Sequence, residues 1–194
     1  LLFVNQGKDA EGNISFKEMA SQYGIADPGN SMGAAFLDYD LDGDLDLYVL
    51  NNEQLAAKPT NFRAKVTDGS AINNDSFYRN NGDGTFSDKT CEMTRHISFS
   101  SMGIDAGDIN NDGWDDITYA TEDGAQIYFF ENNNGVFNLV TLNGISNTYK
   151  TKQVIWIDYD NDGDKDLFVT AIEGINEFYR NDGGMNFTNI SSTI

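Results

Sequence analysis

Short runs of apolar residues, separated by polar turns, recur along the whole chain. Around the first acidic segment, the run AAFL (34–37) precedes and the run LYVL (47–50) follows. Runs of this length that are rich in aromatic and β-branched residues predict β-strands rather than helices. A second kind of hairpin is predicted where Asn-Gly or Asp-Gly pairs separate apolar runs, because these residues tolerate positive φ.

The two kinds of hairpin alternate along the chain, and together they predict four-stranded units. Units of about 40 residues favour a β-propeller of antiparallel blades. A β-solenoid is the alternative, although its repeats are shorter and more regular. About three and a half blades are predicted, too few to close a ring, so we expect the chain to be part of a longer propeller or to be completed by another chain. The predicted parts of this single propeller domain are an outer hairpin at 1–20 whose inner half lies upstream, a blade at 32–90 with an insertion at 51–75, and blades at 102–142 and 153–190.

The hairpins of the first kind are closed by the pattern D-x-[DN]-x-D-G-x-x-D, which occurs at residues 38–46 (loop one), 108–116 (loop two) and 158–166 (loop three). In such a tight turn, carboxylates at positions 1, 3 and 5 face one centre, and the glycine at position 6 permits the sharp bend. Position 7 offers a backbone carbonyl, and the aspartate at position 9 closes the shell. Hard oxygen ligands in this number suit calcium. The sequence therefore predicts about three Ca²⁺ sites, with the ligands Asp38, Asp40, Asp42, Asp44, Asp46, Asp108, Asn110, Asp112, Trp114, Asp116, Asp158, Asp160, Asp162, Asp164 and Asp166.

Three other interpretations of these loops are weaker. Mg²⁺ demands a stricter octahedron and usually keeps several waters. A generic acidic turn explains one copy better than three copies in matching contexts. An EF-hand needs Glu at position 12, where this chain has Val49, Tyr119 and Val169, and it needs flanking helices. Loop two has Asn110 at position 3, so we expect it to bind calcium more weakly than the other two.

Charge and composition limit the function. The net charge is −19, which disfavours binding to nucleic acid or directly to an anionic membrane. No apolar run is long enough to span a bilayer. Weak calcium loops usually work outside the cell, where calcium is millimolar, so an extracellular or cell-surface location is expected. The insertion holds Lys58, Arg63 and Lys65, a basic group that is either a solvated surface loop or a partner contact.

The repeats resemble the FG-GAP/VCBS family of integrin-like propeller repeats. The resemblance rests on Ser31-Met32-Gly33 and Ser101-Met102-Gly103, on the three acidic segments, and on the outer hairpin FYRNNGDGTFSDKT (77–90). The combination is similar to the cartilage acidic protein group. The resemblance implies a seven-bladed ring with calcium at the matched loop positions. The third repeat opens on Thr151 without the glycine, which leaves the start of its first strand in question.

Binding is a better prediction than catalysis for this chain. Its single histidine, His96, lies in a connection between blades, and metal ligation already accounts for the paired aspartates. We therefore expect a calcium-binding module for adhesion to, or recognition of, a protein or glycan ligand, with calcium in a structural role and no catalytic residues. The alternatives are a non-catalytic segment of a polysaccharide-active enzyme and a scaffold subunit of a surface assembly.

Overall fold

The computed structural model of the chain describes residues 1–51, 74–92, 101–121, 127–147 and 149–193. Most of the predicted insertion lies outside these residues, as do Lys58, Arg63, Lys65 and His96. Within the described residues the chain forms fourteen strands, one helical turn at Ala20–Tyr23 (α1) and a 3₁₀ segment at Thr90–Glu92. The strands are β1 (Phe3–Lys8), β2 (Ile14–Glu18), β3 (Ser31–Leu37), β4 (Asp46–Asn51), β5 (Ser76–Asn80), β6 (Phe86–Asp88), β7 (Ser101–Gly107), β8 (Asp116–Thr121), β9 (Ile127–Asn133), β10 (Val136–Val140), β11 (Thr151–Ile157), β12 (Asp166–Ala171), β13 (Glu177–Asn181) and β14 (Phe187–Asn189).

The strands form three four-stranded sheets, β3–β6, β7–β10 and β11–β14, and one two-stranded hairpin, β1–β2. Within each sheet, every strand pairs antiparallel with the next one along the chain. The first strands of successive sheets, β3, β7 and β11, lie next to one another. This arrangement confirms the predicted all-β fold of four-stranded antiparallel blades, and it fits part of a propeller.

Three apolar clusters lie between successive layers of the fold. The first joins α1 and Ile25 to the first sheet, the second joins the first and second sheets, and the third joins the second and third sheets. Along β4, Leu47 and Val49 belong to one cluster while Tyr48 and Leu50 belong to the next. The second strands of the first two blades, β4 and β8, are buried along their whole length, which the simple alternation expected for a half-exposed strand does not predict.

The first strands of all three blades begin with the same irregularity in register. It falls at Ser31/Gly33, Ser101/Gly103 and Thr151/Gln153. The first strand of the third blade, β11, therefore begins like β3 and β7, although its repeat lacks the glycine. The glycine of the second repeat is required because the third blade approaches it: an added Cβ on Gly103 would lie 2.5 Å from the carbonyl oxygen of Lys152.

We expect Gly103→Ala to lower the free energy of unfolding by about 1–3 kcal/mol, since the Lys152 backbone would have to move. The matched control is Gly33→Ala, where the nearest atom to an added Cβ is Ile104 Cγ2 at 3.4 Å, an ordinary contact. Gly33→Ala should lower the free energy of unfolding by less than about 1 kcal/mol. Urea unfolding of both variants measures the difference, and equal losses at the two positions would contradict the close packing of the second and third blades.

Candidate metal sites in the three acidic loops

The three loops share an unusual backbone that brings their polar side chains together. Position 4 has a positive φ in each, 55° at Leu41 and 60° at Asn111 and Asn161. The glycine at position 6 has φ of 90°, 92° and 96° in loops one, two and three. Only glycine adopts such angles freely. In each loop the N–H of this glycine donates to Oδ2 of the aspartate at position 1, at 3.0–3.1 Å.

In loop one the carboxylates of Asp38, Asp40 and Asp42 converge. One oxygen from each lies within 4.8 Å of the others, close enough to hold a single metal ion. Oδ1 of Asp38, Asp40 and Asp44 is buried and accepts no hydrogen bond. Burial of carboxylate oxygens without a partner is costly, so a cation with oxygen ligands fits this loop.

Loop three gathers a related set, in which one oxygen each of Asp158, Asp160 and Asp166 lies within 4.8 Å of the others. Asp158 is held in place by two backbone donors, the N–H groups of Asp162 and Gly163, both at 3.1 Å. Asp160 accepts no hydrogen bond from the described residues. Among the described residues, its carboxylate therefore accepts fewer hydrogen bonds from the protein than any other carboxylate of this loop.

Loop two does not bring three carboxylates together in this way among the described residues, because position 3 is Asn110. The Nδ2 of Asn110 donates to Asp112 Oδ2 and to Glu131 Oε1, both at 3.0 Å. Its Oδ1 accepts from the N–H of Asp112 at 3.0 Å. Trp114, at position 7, is partly exposed, and its N–H donates to Asp112 Oδ1 at 2.9 Å. The metal-ligand role of position 7 stays a prediction.

The aspartate at position 9 is the most deeply buried group of each loop, with 0% exposure for Asp46, Asp116 and Asp166. Its Oδ2 accepts the N–H of loop position 2, and its Oδ1 accepts an N–H from the third strand of the same blade, at 2.8–3.2 Å. Burial raises the pKa of Asp46 to about 6 and that of Asp116 to about 7, although these N–H groups act in the opposite direction. The position-9 carboxylate thus joins the inner and outer hairpins of its blade. Its predicted role as a metal ligand remains untested, and only Asp166 belongs to a converging set.

Sequence reasoning missed the asparagine near the end of each blade's third strand: Asn80, Asn132 and Asn181. Its backbone N–H is the one that reaches the position-9 aspartate. Its Nδ2 donates to the carbonyl of loop position 8, and its Oδ1 accepts an N–H from the outer turn. One side chain therefore connects both turns of a blade. The signal was present in the sequence, since an Asn precedes the outer turn in all three repeats.

Neighbouring loops contact each other at one edge of the fold. The N–H of Asp38 donates to Asp115 Oδ2 at 2.9 Å, and Asn132 Nδ2 donates to the carbonyl of Tyr39 at 2.8 Å. Between the next pair, Asn111 Nδ2 donates to the carbonyl of Gly163 at 3.1 Å. The ordering of one loop therefore supports its neighbour.

A second group of buried polar side chains lies at the far end of β4 from loop one. Asp75 is buried, and it accepts hydrogen bonds from Asn51 N–H at 2.9 Å and from Tyr48 Oη at 3.2 Å. Asn51 Nδ2 also donates to Asp27, whose carboxylate in turn accepts from Tyr78 Oη at 3.1 Å. Burial raises the pKa of Asp75 to about 8, and the charge of Asp27 acts in the same direction.

This group predicts a dependence of stability on pH. Because the pKa of Asp75 is higher in the folded chain than in the unfolded one, the folded state binds more protons between pH 4 and pH 8. Stability should therefore fall as pH rises through this window. An Asn at 75 can accept from Asn51 and donate to Tyr48, so the free energy of unfolding of Asp75→Asn should rise relative to the wild type by about 3–4 kcal/mol between pH 5 and pH 8. Urea unfolding across this range tests it, and parallel curves for the two proteins would contradict it.

In the described part of the chain, no helix is long and apolar enough to cross a membrane. A comparison with curated proteins finds no match. The resemblance to the cartilage acidic protein group stays a prediction. A family model described as an FG-GAP-like repeat matches residues 66–119 and 108–169, which together span more than half of the chain and include loops two and three. With its repeated four-stranded sheets and acidic loops, the chain belongs to the FG-GAP-like repeat family.

Proposed function

We propose that this protein is a calcium-stabilised, extracellular recognition module built from propeller blades. The observation that carries the proposal is the set of buried, unpartnered carboxylate oxygens in loop one. The converging carboxylates of loop three support it. FG-GAP-like repeats often serve adhesion and recognition, and they are typical of extracellular proteins. Extracellular calcium is millimolar, a level at which even weak sites fill.

Calcium in these loops would be held by Asp38, Asp40 and Asp42 in loop one, and by Asp158, Asp160 and Asp166 in loop three. Loop two would contribute Asp108 and Asp112 with the amide oxygen of Asn110. When bound, calcium neutralises carboxylates that otherwise repel one another by about 4 kcal/mol per pair at ~4 Å in an effective dielectric near 20. The protein's own part is to hold position 1 through the glycine N–H and to join each loop to the outer hairpin.

The recognition role rests on a rigid scaffold that presents polar surface between blades. An open cleft of about 350 Å³ lies between the second and third sheets, lined by polar residues that include Asn110, Glu131 and Asn143 and by apolar residues that include Phe129 and Leu142. Amide and carboxylate groups in a cavity of this size suit a hydroxyl-rich ligand such as a sugar. This favours a glycan over a flat protein surface as the first ligand class to test.

Calorimetric titration of calcium into the calcium-free protein tests the metal part of the proposal, and about three sites per chain are expected. A glycan array probed with the same protein, in calcium and in EGTA, tests recognition. Capture that depends on calcium and is reduced by Asn143→Ala supports the proposal. The absence of calcium binding in the millimolar range would overturn it, and release of unsaturated sugars from a captured polysaccharide would favour the enzyme alternative.

A further inference from the structure

The residue that precedes the buried asparagine of the third strand is basic in two blades and acidic in the other. This residue, called here the covering residue, is Arg79 in the first blade, Glu131 in the second and Arg180 in the third. The number of aspartates at loop positions 1, 3, 5, 7 and 9 differs as well. Loops one and three have aspartate at all five positions, whereas loop two has Asn110 at position 3 and Trp114 at position 7.

Arg79 lies over loop one and binds two of its carboxylates. Its Nε is 2.9 Å from Asp40 Oδ2, and its Nη2 is 3.0 Å from Asp42 Oδ2. The other oxygen of Asp40, Oδ1, stays buried without a hydrogen bond. A guanidinium thus neutralises part of the most acidic region of the first blade, while one oxygen of Asp40 remains available to a metal ion.

Glu131 takes the same place over loop two with the opposite charge. Its Oε1 accepts from Asn110 Nδ2 at 3.0 Å, and the same Nδ2 donates to Asp112. The second blade therefore has an amide where the other loops have a carboxylate at position 3, and a carboxylate where they have an arginine on the third strand. The negative charge missing from the loop is supplied from the strand beside it.

Arg180 shows what happens when the covering residue has another partner. Its Nε and Nη2 both lie 2.7 Å from Asp182 Oδ1, in the turn that follows its own strand. Among the described residues it forms no ion pair with loop three. Arg79 and Arg180 are about equally exposed, at 40% and 41%, so the two arginines form a matched pair that differs in whether it is ion-paired with the carboxylates of its loop.

We infer that the covering residue adjusts the calcium affinity of each loop, with Arg79 weakening loop one and Glu131 strengthening loop two. Calcium affinity depends on the charge of the ligand set, so a unit charge at the edge of the loop changes it. Loop three, with five aspartates and a covering arginine that is paired with Asp182 instead of the loop, binds calcium most tightly. Loop two binds more tightly than its own sequence suggests. This inference rests on the proposed calcium binding.

Three variants that each remove the charge of a covering residue test the inference: Arg79→Gln, Glu131→Gln and Arg180→Gln. Calcium is titrated into ¹⁵N-labelled protein while the amide resonances of Gly43, Gly113 and Gly163 report on loops one, two and three separately. Arg79→Gln should raise the affinity of loop one about tenfold, and Glu131→Gln should lower that of loop two about tenfold, the size expected for a unit charge near a divalent ion in water. Arg180→Gln should leave loop three within about threefold of the wild type.

The outcomes distinguish a failure of this inference from a failure of the proposed function. If the wild-type glycine resonances do not respond to calcium, the proposed function fails. If they respond but Arg79→Gln and Glu131→Gln leave the affinities unchanged, only the inference fails. A loss of affinity in Arg79→Gln would also overturn it, because Arg79 would then act by holding Asp40 in place. Arg79→Lys, which keeps the charge, should remain within about threefold of the wild type, and thermal unfolding in EGTA verifies that each variant is folded.

Discussion

Removal of calcium is expected to lower the melting temperature of this protein by about 15–30 °C. At 100-fold excess over Kd each site adds about 2.7 kcal/mol, so three independent sites add roughly 8 kcal/mol. For a chain of 194 residues, each kcal/mol corresponds to about 2–4 °C. Differential scanning calorimetry in calcium and in EGTA measures the shift. The physical reason is that EGTA removes the divalent counter-ion from the convergent carboxylates of loops one and three.

Two controls make this result specific. Magnesium added in place of calcium should recover only a small part of the shift, because these loops do not impose a strict octahedron. The double variant Asp40→Ala/Asp160→Ala, which removes the oxygen ligand at position 3 of loops one and three, should melt in calcium close to the wild type in EGTA, with loop two providing the remaining difference. A wild type that melts at the same temperature in calcium and in EGTA would show that the loops are stable without a metal ion.

The strands and their pairing could be predicted from the sequence because the signals are local. Apolar runs of four residues and Asn-Gly or Asp-Gly turns define hairpins without knowledge of distant contacts. The complete burial of β4 and β8 could not be predicted in the same way. Alternate residues of β4 enter the cores on its two sides, and this depends on which layers flank the first sheet.

The candidate metal sites also combine local contacts, which the sequence can predict, with contacts between distant residues, which it cannot. Asp38, Asp40 and Asp42 are separated by one residue each, so their convergence depends on a single turn that the glycine at position 6 allows. The contact of Arg79 with Asp42 spans 37 positions, and that of Glu131 with Asn110 spans 21. Such contacts depend on how the third strand lies beside the loop. The sequence could therefore predict which carboxylates meet within one loop, but not which strand residue lies over that loop, and the metal-ligand role of the loop positions stays a prediction.

The second large effect is expected from Asp166→Ala, which should lower the free energy of unfolding by about 3–5 kcal/mol even in EGTA. The carboxylate is fully buried, and it accepts the N–H of Tyr159 at 3.0 Å and the N–H of Asn181 at 2.9 Å. Its removal leaves one buried and one half-buried N–H donor without an acceptor, each costing about 1–3 kcal/mol, and separates loop three from the outer hairpin. Urea unfolding in EGTA measures this cost without any contribution from calcium.

The matched control is Asp160→Ala in the same loop, since Asp160 accepts no hydrogen bond from the described residues. In EGTA this variant should differ from the wild type by less than about 1 kcal/mol, and loss of a repelling carboxylate makes a small gain the expected direction. In saturating calcium it should lose about 2–3 kcal/mol relative to the wild type, the contribution of one site. Together the two variants distinguish the carboxylate that builds the blade from the one available to the metal ion. Equal costs for both in EGTA would show that position 9 has no special structural role.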